Sequence, residues 1–160
     1  MKKRGGLVLA LAVMVAAALA STAGAGSSAV NRSEAVSCKS TLKLGMVAPF
    51  TGGAGFLGNE QLSWAKYAVK TLAPKYGLKI KLVTGDTPVE QGPAPAQTLA
   101  QKFVADKSVV AVIGPSTSGA VAASSQVYRD AGLAHISESA TRTSLTKGAA
   151  LEATSAFFRV

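Results

Sequence analysis

Apolar residues follow two different spacings from residue 41 onward. Short runs of crowded apolar residues predict strands, and longer stretches with apolar residues at every third or fourth position predict helices. The two patterns alternate along the chain. The predicted strands lie at residues 42–47, 78–83, 109–113, 133–136 and 156–160.

This alternation predicts an α/β fold, a doubly wound parallel sheet with helices on its faces. Lysines at alternate positions of residues 78–83 predict an edge strand. The β-branched run at 109–113 predicts a strand buried on both faces. Asn59 is predicted to cap the first helix, and a short helix is expected near residues 143–147. The apolar face of the first helix is predicted to carry Leu62, Ala65, Val69 and Leu72.

Polar or glycine-rich turns follow the first, third and fourth predicted strands. They are the glycine-rich turn 51–58, the turn Gly-Pro-Ser-Thr-Ser-Gly at 114–119 and the stretch Ser-Glu-Ser-Ala-Thr at 137–141. Ligands of such sheets bind beyond the carboxyl ends of the strands, where the strand order reverses. Hydroxyls and free N–H groups there can hold a carboxylate, while a carbonyl and a hydroxyl can hold an ammonium. For either hydroxyl turn alone, ordinary capping and turn chemistry is a sufficient explanation.

The amino-terminal segment predicts export. Three basic residues precede an apolar run at 7–20, and small residues follow it, as in a secretory signal peptide. The predicted organisation is a signal peptide at 1–25, a flexible leader at 26–40 and one ligand-binding lobe at 41–160. A membrane anchor is the alternative, but the run is short for a span of about 20 residues. Cys38 could carry a lipid anchor or form a disulfide with a cysteine outside this sequence.

Charge and composition exclude several classes of function. The 160 residues carry a formal charge of +9, and removing Lys2, Lys3 and Arg4 leaves 14 basic and 8 acidic residues, or +6. The remaining basic residues are scattered, so nucleic acid is not predicted as a partner. One cysteine and one histidine cannot form a zinc or iron–sulfur site, so neither a metal nor a cofactor is predicted.

Two motifs suggest enzymes. The run from Gly53 to Gly58 has the G-x-G-x-x-G spacing of a dinucleotide fingerprint, with Asp86 ending the next strand. However, Pro49 separates the strand from the glycines, and a flexible rim loop is the competing interpretation. Ser116 lacks the second glycine of a nucleophile elbow. His135 lies in an apolar strand and is expected in the core, so no catalytic residue is predicted.

The sequence resembles the amino-terminal part of type I periplasmic binding proteins, specifically the branched-chain amino acid-binding components of ABC transporters. The resemblance covers residues 41–160. It rests on the segments 42–52 (Leu-Lys-Leu-Gly-Met-Val-Ala-Pro-Phe-Thr-Gly), 112–115 (Val-Ile-Gly-Pro), 136–137 with 140–141 (Ile-Ser and Ala-Thr), and 157–160 (Phe-Phe-Arg-Val).

The resemblance implies a set of ligand-binding residues. Ser118 would bind the ligand carboxylate, Ser139 would offer a carbonyl to the ammonium, and Thr141 would offer a hydroxyl to the ammonium and an N–H to the carboxylate. Leu57 stands at a rim position that is often aromatic. Glu138 replaces a proline found in many relatives. It is expected to face solvent, and the alternative is that it alters the charge of the preferred ligand. The predicted substrate-binding set is Ser116, Thr117, Ser118, Ser139, Ala140, Thr141 and Leu57.

The resulting hypothesis is an exported, non-catalytic protein that captures an amino acid, branched-chain or similar, for the membrane permease of an ABC importer. An exported sensor domain of the same fold is the alternative, and a dinucleotide-binding enzyme is the third. The sequence stops within an apolar strand, so it is interpreted as an amino-terminal lobe whose second lobe is absent. Such a half pocket is expected to bind its ligand weakly, because closure of the two lobes supplies the opposing contacts.

Overall fold

The computed structural model describes residues 40–147, 153 and 155–160. The predicted signal peptide, all of the leader except Ser40, and Cys38 lie outside the described residues. The strands are β1 (Leu42–Ala48), β2 (Ile80–Asp86), β3 (Val109–Ile113), β4 (His135–Ser137) and β5 (Phe157–Arg159). The α-helices are α1 (Gly55–Leu72), α2 (Ala94–Ala105) and α3 (Ser118–Asp130), and short 3-10 helices lie at Ala73–Tyr76, Val89–Gln91 and Thr143–Leu145.

The five strands form one sheet in the order β2-β1-β3-β4-β5, and every pairing is parallel. The chain passes from β1 to β2 on one side and then returns to place β3 on the other side of β1. This reversal makes the β1–β3 boundary the switch point of the sheet. The predicted doubly wound α/β fold is confirmed, and β2 is an edge strand as its alternating lysines predict.

Most of the core lies between the sheet and the helices α2 and α3. Because parallel strands with crossover helices bury both their own apolar residues and one helix face, apolar side chains of the strands, α2 and α3 meet in the largest of three clusters among the described residues. Its buried members are Val47, Ala100, Phe103, Val109, Val112, Tyr128 and Leu133. This packing fixes the positions of the β3 and β4 ends, from which the two hydroxyl-rich turns emerge.

The opposite face of the sheet is covered unevenly. Helix α1 packs Ala65 against Met46 and Ala48 of β1. Farther along the sheet, Ile136 is 41% exposed and Phe158 is 54% exposed, and the two residues are paired in register on β4 and β5. Within the described residues, these apolar side chains on the α1 side of β4 and β5 therefore face solvent.

The prediction that strand 109–113 is buried on both faces is wrong for Val110. Its neighbours Val109 and Val112 are buried, but Val110 is 48% exposed. Lys43 pairs with Val109 and Leu44 pairs with Ala111, so Val110 is the extra residue at a register shift. An extra residue of this kind is left out of the ladder and turned away from its neighbours.

The start of α1 also differs from the prediction. The helix begins at Gly55, four residues before the predicted cap, and Asn59 lies inside it. The Asn59 side-chain amide instead donates to the carbonyls of Gly55 at 2.7 Å and Phe50 at 3.0 Å. Leu72, predicted on the apolar face of this helix, is exposed, and the short helix expected at 143–147 is a single 3-10 turn.

No helix in the described part of the chain has the length and apolar character needed to cross a membrane.

Candidate functional site

The turn after β3 delivers Ser118 to the first position of α3. Gly114 has a φ of +95°, a conformation that favours glycine, and the following bond to Pro115 is cis. Thr117 then caps the helix, because its side chain accepts from the N–H of Ala120 at 3.4 Å. The N–H groups of Ser118 and Gly119 are among those that a helix leaves without internal partners. The start of α3 therefore offers a hydroxyl and two N–H groups to an anion.

The turn after β4 is tied to the turn after β3 by side-chain hydroxyls. The Ser137 hydroxyl donates to the Pro115 carbonyl at 2.7 Å, and it accepts from the N–H of Ala140 at 3.0 Å. The Ser139 hydroxyl donates to the Ser116 carbonyl, also at 2.7 Å. These bonds hold the two turns side by side at the carboxyl-terminal edge of the sheet.

Ser118 and Thr141 therefore come together at this edge. The N–H of Arg142, the residue after Thr141, donates to Ser118 Oγ at 3.1 Å. Ser139 and Thr141 are exposed and Ser118 is half-buried, so their polar groups border solvent. Ala140 is buried beneath the turn. Hydroxyl, N–H and carbonyl groups from both turns therefore lie at one edge of the sheet.

Ser116 lies below this edge and is engaged within the protein. It is buried, and its hydroxyl lies 2.7 Å from both Gln61 Oε1 and Glu138 Oε1. Gln61, on α1, also donates from Nε2 to the Ser139 hydroxyl at 3.2 Å. Ser116 and Gln61 thus lie beneath the two turns, and Gln61 connects them to α1.

The expectation that Glu138 faces solvent is wrong. Its side chain turns inward to accept from Ser116, and its other carboxylate oxygen, Oε2, is buried without a hydrogen-bond partner among the described residues. The inward direction of Glu138 corresponds to its hydrogen bond from the Ser116 hydroxyl. Glu138 also borders an open cleft of about 440 Å³ beneath α1, which includes Trp64, Met46 and Ile113 but neither Ser118 nor Thr141.

Leu57 lies in the first turn of α1, not in a rim loop. It is exposed near the glycine-rich turn, while Gly58 is buried beside the end of β1. A Cβ atom at Gly58 would lie 2.1 Å from the Pro49 carbonyl oxygen, so this glycine allows the helix to touch the strand end. The run from Gly53 to Gly58 is thus largely helix, with a close backbone approach as its structural purpose.

Carboxylates accept from N–H groups at the start of the glycine-rich turn, namely those of Thr51 and Gly53, and from the preceding N–H of Phe50. Asp86 accepts from the N–H of Phe50 at 2.7 Å and from the Thr51 hydroxyl, and Glu90 accepts from the N–H of Gly53 at 2.7 Å. Burial raises the pKa of Asp86, but these hydrogen bonds outweigh it and the net pKa is lowered. The hydrogen bond from Gly53 likewise lowers the pKa of Glu90. Negative charge at this turn disfavours a bound phosphate.

His135 is a core residue, as expected from its apolar strand. Its ring lies 4.8 Å from the Tyr128 ring and 5.1 Å from the Phe157 ring, measured between centroids. Its Nε2 lies 3.2 Å from Ser125 Oγ, and burial lowers the pKa of His135 to about 4. The imidazole is therefore neutral near neutral pH and remote from solvent.

Sequence reasoning missed two residues that organise the edge. Ser137 is fully buried and bonds both turns, and Arg159 of β5 donates to carbonyl oxygens of the 140–142 segment. The serine was visible as part of a hydroxyl-rich stretch, but nothing distinguished it from the exposed serines nearby. Arg159 belongs to a segment that carries the family resemblance, yet its pairing depends on the sheet order.

Comparison with known proteins gives a consistent result. The profile of the family described as periplasmic binding protein matches residues 41–159. A Leu/Ile/Val-binding protein homologue from Brucella melitensis is 34% identical over 95 residues, which are 58% of this chain and 23% of the relative.

Solved structures share the fold. The branched-chain amino acid transporter substrate-binding protein LivJ of Streptococcus pneumoniae, in complex with isoleucine, is 31% identical with a TM-score of 0.65. The match covers 75% of this chain and 33% of that protein. An ABC transporter substrate-binding protein of Desulfitobacterium hafniense, in complex with leucine, is 26% identical with a TM-score of 0.58, over 75% of this chain and 34% of that one.

The chain thus spans about a third of the length of the two solved relatives. The family match covers the whole of the described sheet and both hydroxyl-rich turns. The chain belongs to the periplasmic binding protein family, with the architecture of one lobe of a type I member.

Proposed function

We propose that this chain is the amino-terminal lobe of an extracytoplasmic solute-binding protein that captures an amino acid for an ABC importer. The carrying observation is the contact between the two turns, in which the N–H of Arg142 reaches Ser118 Oγ. Two structural relatives that are more than 25% identical carry isoleucine or leucine, which supports an aliphatic amino acid as the solute.

The polar groups divide into donors and acceptors in the way that a zwitterion requires. The Ser118 hydroxyl with the first N–H groups of α3 would bind the carboxylate, because a helix amino terminus favours negative charge. The Ser139 carbonyl and the Thr141 hydroxyl would accept from the ammonium. Leu57 would contact the aliphatic side chain from the start of α1. Ser116, Thr117 and Ala140 would shape the site without binding the solute through their side chains, since two are buried and Thr117 caps α3.

A binding role agrees better with the geometry than catalysis does. The N–H groups of Thr51 and Gly53 in the glycine-rich turn donate to Asp86 and Glu90, and the imidazole of His135 is buried in the core. We therefore assign the chain no enzymatic step. Delivery to a membrane permease and location outside the cytoplasm belong to the same proposal.

An NMR titration of the chain with isoleucine tests this assignment. We expect saturable shifts at the amides of Ser118, Gly119 and Thr141, with a Kd of roughly millimolar because one lobe supplies only part of the contacts. Isoleucinamide, which lacks the carboxylate, and 3-methylpentanoate, which lacks the ammonium, should both bind several-fold more weakly.

Matched variants complete the test. Ser118→Ala and Thr141→Ala should each weaken binding by at least fivefold, while Ser63→Ala on the exposed surface of α1 should leave it unchanged. Shifts confined to other surfaces, or unchanged affinity in both site variants, would reject the proposed site.

A further inference from the structure

Arg159 directs its guanidinium to the segment that contains Thr141. One nitrogen, Nη1, donates to the Arg142 carbonyl at 2.9 Å and to the Ala140 carbonyl at 3.3 Å. The other, Nη2, donates to Thr146 Oγ1, farther along the same loop. All three contacts lie in the loop that follows β4, and they reach it from the neighbouring strand β5.

The two carbonyl contacts lie on either side of Thr141. A loop residue without regular hydrogen bonding can rotate about its φ and ψ angles, so its side chain and N–H change direction easily. Arg159 holds the peptide unit that precedes Thr141 and the unit that follows Arg142. The unit between them is held by the bond from the Arg142 N–H to Ser118, so the backbone on both sides of Thr141 is restrained. Hydrogen bonds from a charged donor are stronger than neutral ones, and the planar guanidinium can hold several acceptors at once.

The contact continues to Ser118 through a single residue. The carbonyl of Arg142 accepts from Arg159, while the N–H of Arg142 donates to Ser118 Oγ. The backbone of Arg142 therefore connects β5 to the start of α3. Within the described residues no carboxylate forms an ion pair with Arg159, and its contacts there go to this loop.

We propose that Arg159 is the positioning residue of the ligand site: by holding the carbonyls of Ala140 and Arg142, it fixes Thr141 opposite Ser118. This inference rests on the proposed function, because the value of the fixed geometry lies in presenting the Ser139 carbonyl and the Thr141 hydroxyl to the solute. Arg159 itself does not contact the solute in this scheme. Its effect on binding passes through the loop.

Amide hydrogen exchange separates the positioning role from ligand binding. In Arg159→Met, which keeps an apolar stem but no donors, the Arg142 amide should exchange at least tenfold faster than in the unmodified chain. The isoleucine Kd should rise at least fivefold. Arg159→Lys, which can reach one carbonyl at a time, should give intermediate values for both measurements.

Two controls make the result interpretable. Arg129→Met removes an exposed arginine that pairs with Asp130 on α3, and it should change neither measurement. The amide of Val112, which donates to the Ala134 carbonyl in the sheet, should exchange at the unmodified rate in every variant and so report an intact fold. If Arg159→Met does not retain this sheet protection, Arg159→Lys carries the test by itself.

Unchanged exchange at Arg142 in Arg159→Met, with the sheet intact, would overturn the proposal. Faster exchange of the Arg142 amide with an unchanged isoleucine Kd would also overturn it, because fixing the loop would then not contribute to binding. Failure of the unmodified chain to bind isoleucine while the exchange effect persists would reject the proposed function and leave the structural effect of Arg159 standing.

Discussion

The buried hydroxyl of Ser137 donates to the carbonyl oxygen of Pro115 at 2.7 Å, and so connects the ends of β4 and β3. The same oxygen accepts from the N–H of Ala140 at 3.0 Å. One small side chain therefore satisfies a buried carbonyl on one turn and an N–H on the next. Five of the seven residues predicted to bind the solute lie within two positions of Pro115, Ser137 or Ala140.

Ser137→Ala should lower the free energy of unfolding by about 1–3 kcal/mol, because the mutation leaves the buried Pro115 carbonyl without its donor. It should also weaken isoleucine binding, since the two turns lose a shared anchor. Chemical denaturation monitored by circular dichroism measures the first effect. Ser63→Ala, an exposed helical serine, should stay within about 0.5 kcal/mol of the unmodified chain. Equal effects from the two substitutions would contradict this role of Ser137.

Gly58→Ala should destabilise the chain by about 1–3 kcal/mol or more, because the new methyl group would lie 2.1 Å from the Pro49 carbonyl oxygen. Gly119→Ala, near the start of α3, meets no atom within 4 Å and has an ordinary φ, so it should be neutral or slightly stabilising. Thermal unfolding of both variants checks the pair. A stable Gly58→Ala would mean that α1 can move away from β1 at little cost.

Glu138→Gln should stabilise the chain. The Ser116 hydroxyl has one proton but lies 2.7 Å from acceptors on both Gln61 and Glu138, and Glu138 Oε2 has no partner in the described part of the chain. An amide adds donors where acceptors are in excess, and a gain of roughly 0.5–1.5 kcal/mol is expected. Glu60→Gln, in the same cleft but exposed, is the control and should have no comparable effect. A loss of stability in Glu138→Gln would show that the carboxylate is required.

Acidification should destabilise the fold between about pH 6.5 and pH 4 through His135. Burial lowers the pKa of His135 from 6.5 to about 4, so the unfolded chain binds the proton more readily throughout that range. The contribution of neutral His135 to the free energy of unfolding is fully present above pH 6.5. It falls by about 3 kcal/mol at most as the pH reaches 4. Urea unfolding at several pH values measures the slope.

His135→Gln should flatten that slope between pH 5 and pH 6.5. The carboxylates of Asp86 and Asp106 have pKa values below their ordinary 3.8. A hydrogen bond from Lys43 lowers the pKa of Asp106 to about 2. Their protonation therefore affects stability mainly at lower pH. An unaltered slope in His135→Gln would assign the acid sensitivity to another group.

Local sequence signals were sufficient for the order of the elements and for the two turns. The run of apolar residues at 109–113 predicted β3 correctly, and lysines at alternate positions identified β2 as an edge strand. Both signals arise because each strand's own residues record which of its faces are buried and which are exposed. The outward turn of Val110 depends on a register shift against Lys43, which no local pattern carries. The close approach of Gly58 to the Pro49 carbonyl is likewise a contact between elements that no local pattern carries.

The polar contacts of the site were less accessible to prediction. Glu138 turns inward because Ser116, 22 positions away, lies beneath it. Arg159 reaches the loop after β4 because β5 pairs beside that strand, a relationship set by sheet order. Such contacts join residues that are distant in sequence, so they appear only once the strands are arranged.

The side-by-side placement of Ile136 and Phe158 on the water-facing side of the sheet has a practical consequence for handling the chain. Adjacent exposed apolar side chains favour self-association and binding to apolar surfaces, and salts such as ammonium sulfate strengthen both. The chain should therefore be retained on a phenyl column, increase the fluorescence of the dye ANS and precipitate at high ammonium sulfate concentration. Replacing Phe158 with threonine should reduce all three behaviours while the strand remains in place.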